Sequence, residues 1–197
     1  LEEIHLHTRQ YMKSIFYFAA LSLSCVLAQA SELSDKLQSH EYVLLMRHTR
    51  APGVGDPAGY TLDDCKTQRN LSAEGRKQAV VVGQWLRKQG IQTADVRTSA
   101  WCRCKDTAAL LGFGEVVIEP ALGSFFDVPQ RAREFTEKLQ TRLAQASARK
   151  GNQALVLVTH HVNIRDYMGE NIGSGDMVLV HFDAQGKLLK AKRYPSP

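Results

Sequence analysis

Three observations predict an α/β fold, a three-layer α/β/α sandwich around a mostly parallel central sheet. Two runs, Tyr42-Val43-Leu44-Leu45-Met46 and Ala154-Leu155-Val156-Leu157-Val158, are continuously apolar, as strands buried on both faces must be. Segments of helical periodicity alternate with short strand-like runs between them, the order that builds parallel strands with crossover helices. No internal repeat, linker or low-complexity stretch interrupts the pattern, so residues 31–197 read as one domain.

The elements follow in order. Residues 31–40 suit a short leader helix. The first strand runs from about Glu41 to Arg47 and ends in Arg47-His48-Thr49-Arg50, where Ala51-Pro52-Gly53 stops it. A loop extends from Thr49 to about Leu71, a length that is usually functional in a compact domain. Ser72 is placed to cap a helix from about Ala73 to Gln89, with Glu74 in its first turn, Gly90 at its end and Ala79, Val82, Trp85 and Leu86 as an apolar stripe facing the core. Asp95-Val96-Arg97-Thr98-Ser99 reads as a strand, followed by a helix from Cys102 or Arg103 to about Leu111, and Val116-Val117-Ile118 as a further strand. Pro129 opens a polar helix to about Ala148 that buries Phe135, Leu139 and Leu143. The second apolar strand ends in Thr159-His160-His161, from which a short helix reaches Met168. Met177 to Phe182 and Leu188 to Tyr194, joined through Ala184-Gln185-Gly186, predict a closing antiparallel hairpin.

With 197 residues, 44% hydrophobic and 23% charged, the chain is large enough for a sizeable core. Its first thirty residues stand apart. Met12-Lys13, the apolar run Ile15 to Leu27 and the small-x-small Ala28-Gln29-Ala30 predict a signal peptide that starts at Met12 and is cleaved after Ala30, with residues 1–11 upstream. The run is short for a spanning helix, so no stable membrane anchor is expected after cleavage, and the mature protein is expected to be periplasmic or secreted. The net charge of +5 is unchanged without residues 1–30, which hold two bases (Arg9, Lys13) and two acids (Glu2, Glu3). The bases are scattered, without a run or interleaved aromatics, which favours a small anionic ligand over nucleic acid. Cys65, Cys102 and Cys104 remain after cleavage. Cys65–Cys102 or Cys65–Cys104 is a more plausible disulfide than the strained Cys102–Cys104, and three cysteines without matched histidine spacing make zinc a weak competitor. The oligomeric state is left open.

Three strand ends carry matching chemistry: Arg47 and His48, then Arg103, then His160. In an open α/β sheet ligands bind at the carboxyl ends of the strands. Two arginines, two histidines and nearby helix N-termini suit a phosphoryl dianion.

Arg47-His48-Thr49, the stretch from Ser99 to Ala108 and Val156-Leu157-Val158-Thr159-His160 resemble the motifs of the histidine phosphatase superfamily, with its phosphoglycerate-mutase-like fold. Leu71 to Ala79 resembles that family's first helix, and the likeness runs from about residue 41 to 182. The resemblance implies that His48 is the nucleophile, forming a phosphohistidine that water hydrolyses. Arg47 and Arg103 would neutralise the phosphoryl oxygens, His160 would hydrogen-bond one of them, and neither metal nor cofactor would be needed. Thr49 departs from the small residue usual after the histidine. The proton donor is not evident: Leu122-Gly123 is followed by Ser124, so Asp127 is the candidate acid, with an N-terminal helix charge as its other reading, and Glu119 is a poorer choice. Arg50 and Arg69 either reach the substrate or are solvated or salt-bridged; His161 and Asn163 either cap a helix or touch the substrate. The chain most resembles small exported bacterial members, which makes a cell-envelope sugar phosphate a candidate substrate. The alternative is a non-catalytic phosphate-binding module of the same fold that has lost its acid.

Overall fold

The computed structural model describes residues 31–148 and 153–197. The signal segment expected at residues 1–30 lies outside the described residues.

A six-stranded mixed sheet forms the centre, in the order β3-β2-β4-β1-β5-β6. β1 (Tyr42–Arg47), β2 (Ala94–Thr98), β3 (Val116–Ile118) and β4 (Ala154–Thr159) run parallel, whereas β5 (Met177–Phe182) and β6 (Leu188–Tyr194) pair antiparallel beyond β1. β1 and β4 are the central pair, and their alternating side chains feed two cores. Leu44 and Met46 face one, with Val156 and Val158; Val43 and Leu45 face the other, with Leu155 and Leu157. This explains why both strands read as unbroken apolar runs.

Helices α1 (Glu32–Gln38), α2 (Ala73–Lys88) and α3 (Cys102–Leu110) cover the first face, through Leu33, Leu37, Val82, Leu86, Cys104 and Ala108. Helices α4 (Ala132–Ser147) and α5 (His161–Met168) cover the second, through Leu139, Leu143, Ile164 and Tyr167. The three-layer α/β/α sandwich is therefore observed. Among the described residues, no helix is long and apolar enough to cross a membrane.

Local signals mostly act as expected. Ser72 caps α2 by accepting from the Gly75 amide at 3.0 Å. Gly75 is required there, since a Cβ would lie 2.0 Å from the Arg50 carbonyl oxygen, so the start of α2 is seated directly on the chain leaving β1. The helix expected from Pro129 instead begins with a 3₁₀ turn, Pro129–Arg131, before α4 proper. Val128, preceding a proline, is pushed out of helical geometry and the entry turn tightens accordingly.

Candidate active site

The register of the central strands assembles the site. Arg47 pairs opposite Thr159 across β1 and β4, so the next residue on each strand, His48 and His160, emerge side by side with ring centroids 5.6 Å apart. Thr98 of β2 lies opposite Val158, which brings Ser99 and the start of α3, with Arg103, to the same edge. These ends bound a cavity of about 230 Å³, lined by Arg47, His48, Arg69, Arg103, His160 and His161 and, toward solvent, by residues 53–55, Ser124 and Phe126.

The two histidines are held in opposite tautomers. His48 Nδ1 lies 2.8 Å from the Thr49 carbonyl, which can only accept, so Nδ1 carries the proton and Nε2 keeps its lone pair. Burial, reinforced by Arg103, Arg69 and Arg47, pushes the His48 ring down to about 3 and keeps it neutral at ordinary pH. His160 Nδ1 accepts from Arg103 Nη2 at 3.4 Å, so its Nε2–H is the group donated to Ser99 Oγ at 2.8 Å. His160 is fully enclosed, packed edge-on against Trp101, and burial holds it well below its ordinary value. To reach a phosphoryl oxygen it must exchange one of these partners.

Arg47 donates from Nη1 to the Ile172 carbonyl at 2.8 Å, and Arg103 from Nη1 to Asp56 at 2.8 and 3.0 Å. Each arginine nevertheless retains a buried Nε–H with no acceptor. Orphaned buried donors are rare and costly, and two of them on cations lining one cavity mark a place prepared for an anion.

The remaining candidates separate. Arg69 lines the cavity while its Nε bonds the Gly55 carbonyl at 2.8 Å, which shapes the loop. His161 also lines it, half-buried beside Phe126, and burial followed by the Arg47 charge pushes its ring down to about 4. Arg50 is exposed and faces a different hollow, with Glu74, Gln78 and Ser174. Asn163 is buried and donates to the Gly123 carbonyl at 2.8 Å, tying α5 to the segment after β3 rather than capping it, and it does not line the cavity. Asp127 is exposed, accepts from Tyr60 Oη at 3.2 Å and does not line the cavity either. Thr49 packs away from it, against Thr107 of α3. Glu119 pairs with Arg142 elsewhere.

One residue was not anticipated. Asp56, in the loop after β1, has a side chain 2% exposed and forms the ion pair with Arg103. An Asp followed by Pro57 in a glycine-rich loop reads as turn chemistry, and nothing local marks it as part of the floor of a site. The same loop is bound to α3 by the Cys65–Cys102 disulfide, which settles the open pairing, removes both thiols from any zinc site and leaves Cys104 as the free, buried thiol. Burial pushes that thiol up to about 12, so it is inert. α3 has no N-capping side chain of its own; Gln68 Oε1 from the loop accepts from the Cys102 amide at 2.9 Å instead.

The family model of the histidine phosphatase superfamily (branch 1) matches residues 43–125. That span contains β1 from Val43 onward, His48, the whole loop and Arg103. Similar solved structures include the protein histidine phosphatase SixA complexed with tungstate, 19% identical over 78% of this chain and 94% of its own, at a TM-score of 0.51. Phosphoserine phosphatase from Entamoeba histolytica, with 3-phosphoglyceric acid, is 14% identical over 72% and 90%, at 0.54. A mycobacterial glucosyl-3-phosphoglycerate phosphatase with inorganic phosphate is 15% identical over 80% and 97%, at 0.51. The chain shares their fold. No curated protein sequence matches it.

Proposed function

We propose that the protein is a histidine phosphatase that hydrolyses phosphomonoesters through a phosphohistidine on His48. The observation that carries this reading is His48, its Nδ1 held on the Thr49 carbonyl and its Nε2 left free of a partner among the described residues, beside two pocket arginines whose buried Nε–H groups lack acceptors. His48 Nε2 attacks phosphorus with its lone pair while the bond to the leaving oxygen breaks. The N–P bond formed is then cleaved by water, releasing inorganic phosphate and restoring the imidazole. Arg47 and Arg103 balance the charge on the equatorial oxygens, so this chemistry calls on no metal or cofactor. Arg69 and His161 line the way to the leaving group.

The match of the family model to residues 43–125 supports the same assignment. Export to the periplasm or beyond is supported by the apolar N-terminal run and by the Cys65–Cys102 disulfide, which persists in oxidising compartments. A small phosphorylated metabolite, including an envelope sugar phosphate, is the substrate class we favour.

One observation favours the alternative of a non-catalytic phosphate-binding module: among the described residues, no carboxylate lines the cavity. Asp127, next in the chain to the pocket residue Phe126, is the acid to test. The purified protein is assayed with p-nitrophenyl phosphate, whose leaving group needs no acid, and with an alkyl phosphate, which does. We expect His48→Ala to lose at least about 10³-fold in kcat/KM on both, as removal of a nucleophile does. Asp127→Asn should lose activity on the alkyl ester selectively. A wild type that binds phosphate yet turns over neither ester establishes the binding module instead.

A further inference from the structure

We infer that Asp56 is a positioning residue for phosphoryl transfer, acting through Arg103; this rests on Arg103 being a ligand of the transferring group. Four donor contacts converge on its carboxylate. Arg103 Nη1 lies 2.8 and 3.0 Å from its two oxygens, Trp101 Nε1 donates at 3.2 Å, and the Arg69 main-chain amide donates at 2.9 Å. A carboxylate this buried requires such a set of donors.

The consequence lies in how the Arg103 donors are sorted. Asp56 occupies Nη1 on the protein side. Nε is left buried without an acceptor, and Nη2 makes only the long 3.4 Å contact to His160. Nε and Nη2 form the side of a guanidinium that engages a phosphoryl group in two parallel bonds. The carboxylate thus aims the fork rather than merely neutralising it. It also fastens the loop to α3 at the side chain where aim matters, whereas the disulfide and Gln68 both fasten it one residue earlier, at the Cys102 sulfur and main-chain amide.

Position and charge predict opposite effects for Asp56→Asn. Removing a negative charge from an anion site should by itself tighten ground-state binding. Loosening the aim of Arg103 should lower the rate, because the transition state needs the oriented fork. We therefore expect kcat on p-nitrophenyl phosphate to fall tenfold or more, the Kd for inorganic phosphate to stay within about threefold or tighten, and the Kd for orthovanadate to weaken at least tenfold.

The control for a merely structural role is a double-mutant cycle with Arg103→Ala. If Asp56 acts through Arg103, Asp56→Asn costs less than twofold more in the Arg103→Ala background. An equal loss in both backgrounds, or a kcat within threefold of wild type in the single variant, overturns the inference. Circular dichroism and phosphate titration of each variant confirm the folded, binding-competent fraction, and a kcat loss matched by loss of that fraction also overturns it. The two readings fail differently. If the wild type binds orthovanadate without turning over substrate, the phosphatase reading fails and the vanadate cycle still decides Asp56. If it binds neither phosphate nor vanadate, both fall.

Discussion

Among the described residues, two arginine clusters invite comparison, and the larger hollow does not belong to the one proposed as the active site. Beside β2, β3 and α4, Asp95, Arg97, Glu119 and Arg142 line a cavity of about 430 Å³. Arg97 pairs with Asp95 at 3.0 Å, and Glu119 accepts from Arg142 at 2.5 Å and lies 3.9 Å from Arg97. Two cations meet two anions, and none of these four side chains is among the buried groups left without a partner. At the carboxyl edge of β1 and β4 the cavity is half that size, but three arginines line it, no carboxylate of the described residues does, and two Nε–H groups go unmatched. Surplus charge and unsatisfied donors distinguish a ligand site from a structural ion cluster better than volume does, because only the former leaves binding free energy unused.

Matched truncations should break the comparison if it is wrong. Arg103→Ala removes an oriented cation from the transition state and should lower kcat/KM by about 10²–10³-fold. Arg142→Ala should leave kcat/KM within about twofold and lower stability by roughly 1 kcal/mol, or about 2–4 °C in Tm for a chain of this size. Similar kinetic losses from both substitutions would erase the distinction.

The two clusters also differ in what holds them. The outer one rests on ion pairs along regular elements, while the inner one depends on a loop stapled across 37 residues by Cys65–Cys102. Cys65→Ser should cost about 2–4 kcal/mol of stability, seen in thermal melts as a fall of roughly 5–15 °C. Hydrolysis measured well below the new Tm should fall with it, since only hydrogen bonds and the Asp56–Arg103 ion pair would then hold the loop to the start of α3. Unchanged Tm and activity would place the staple outside the machinery.

The smallest effect concerns protons. His48, held down to about 3 mainly by burial, stays neutral in the folded protein while the unfolded ring titrates near its ordinary 6.5. The unfolded state therefore binds more protons as pH falls, and this group's contribution makes stability decline from about pH 6.5 downward rather than rise. In an NMR titration its ring resonances should not shift between pH 8 and 5. A midpoint near 6.5 would show an open, solvated site.

The sequence made much of this legible. Two uniformly apolar runs mark the central strands, and a histidine directly after each is placed by strand register alone. Ser72 announces α2, and Phe135, Leu139 and Leu143 announce the buried face of α4. The acids were harder. Asp56 and Asp127 both sit in irregular segments with prolines nearby, and neither neighbourhood carries a period that says which way the side chain points. Asp127 faces Tyr60 at the surface and Asp56 lies under Arg103.

What the sequence by itself determined is the frame and the histidine pair: the alternating elements, and His48 and His160 at the ends of neighbouring parallel strands. Periodicity and strand polarity are local properties and can be read locally. What only the tertiary structure decided is how the loop from Thr49 to Leu71 folds back: which cysteine takes Cys65, that Gln68 caps a helix more than thirty residues away, and that Asp56 lies buried under Arg103. Those pairings join residues distant in the chain. They form because a buried carboxylate, an uncapped helix start and an excess of arginine satisfy one another only when the whole sheet edge is assembled.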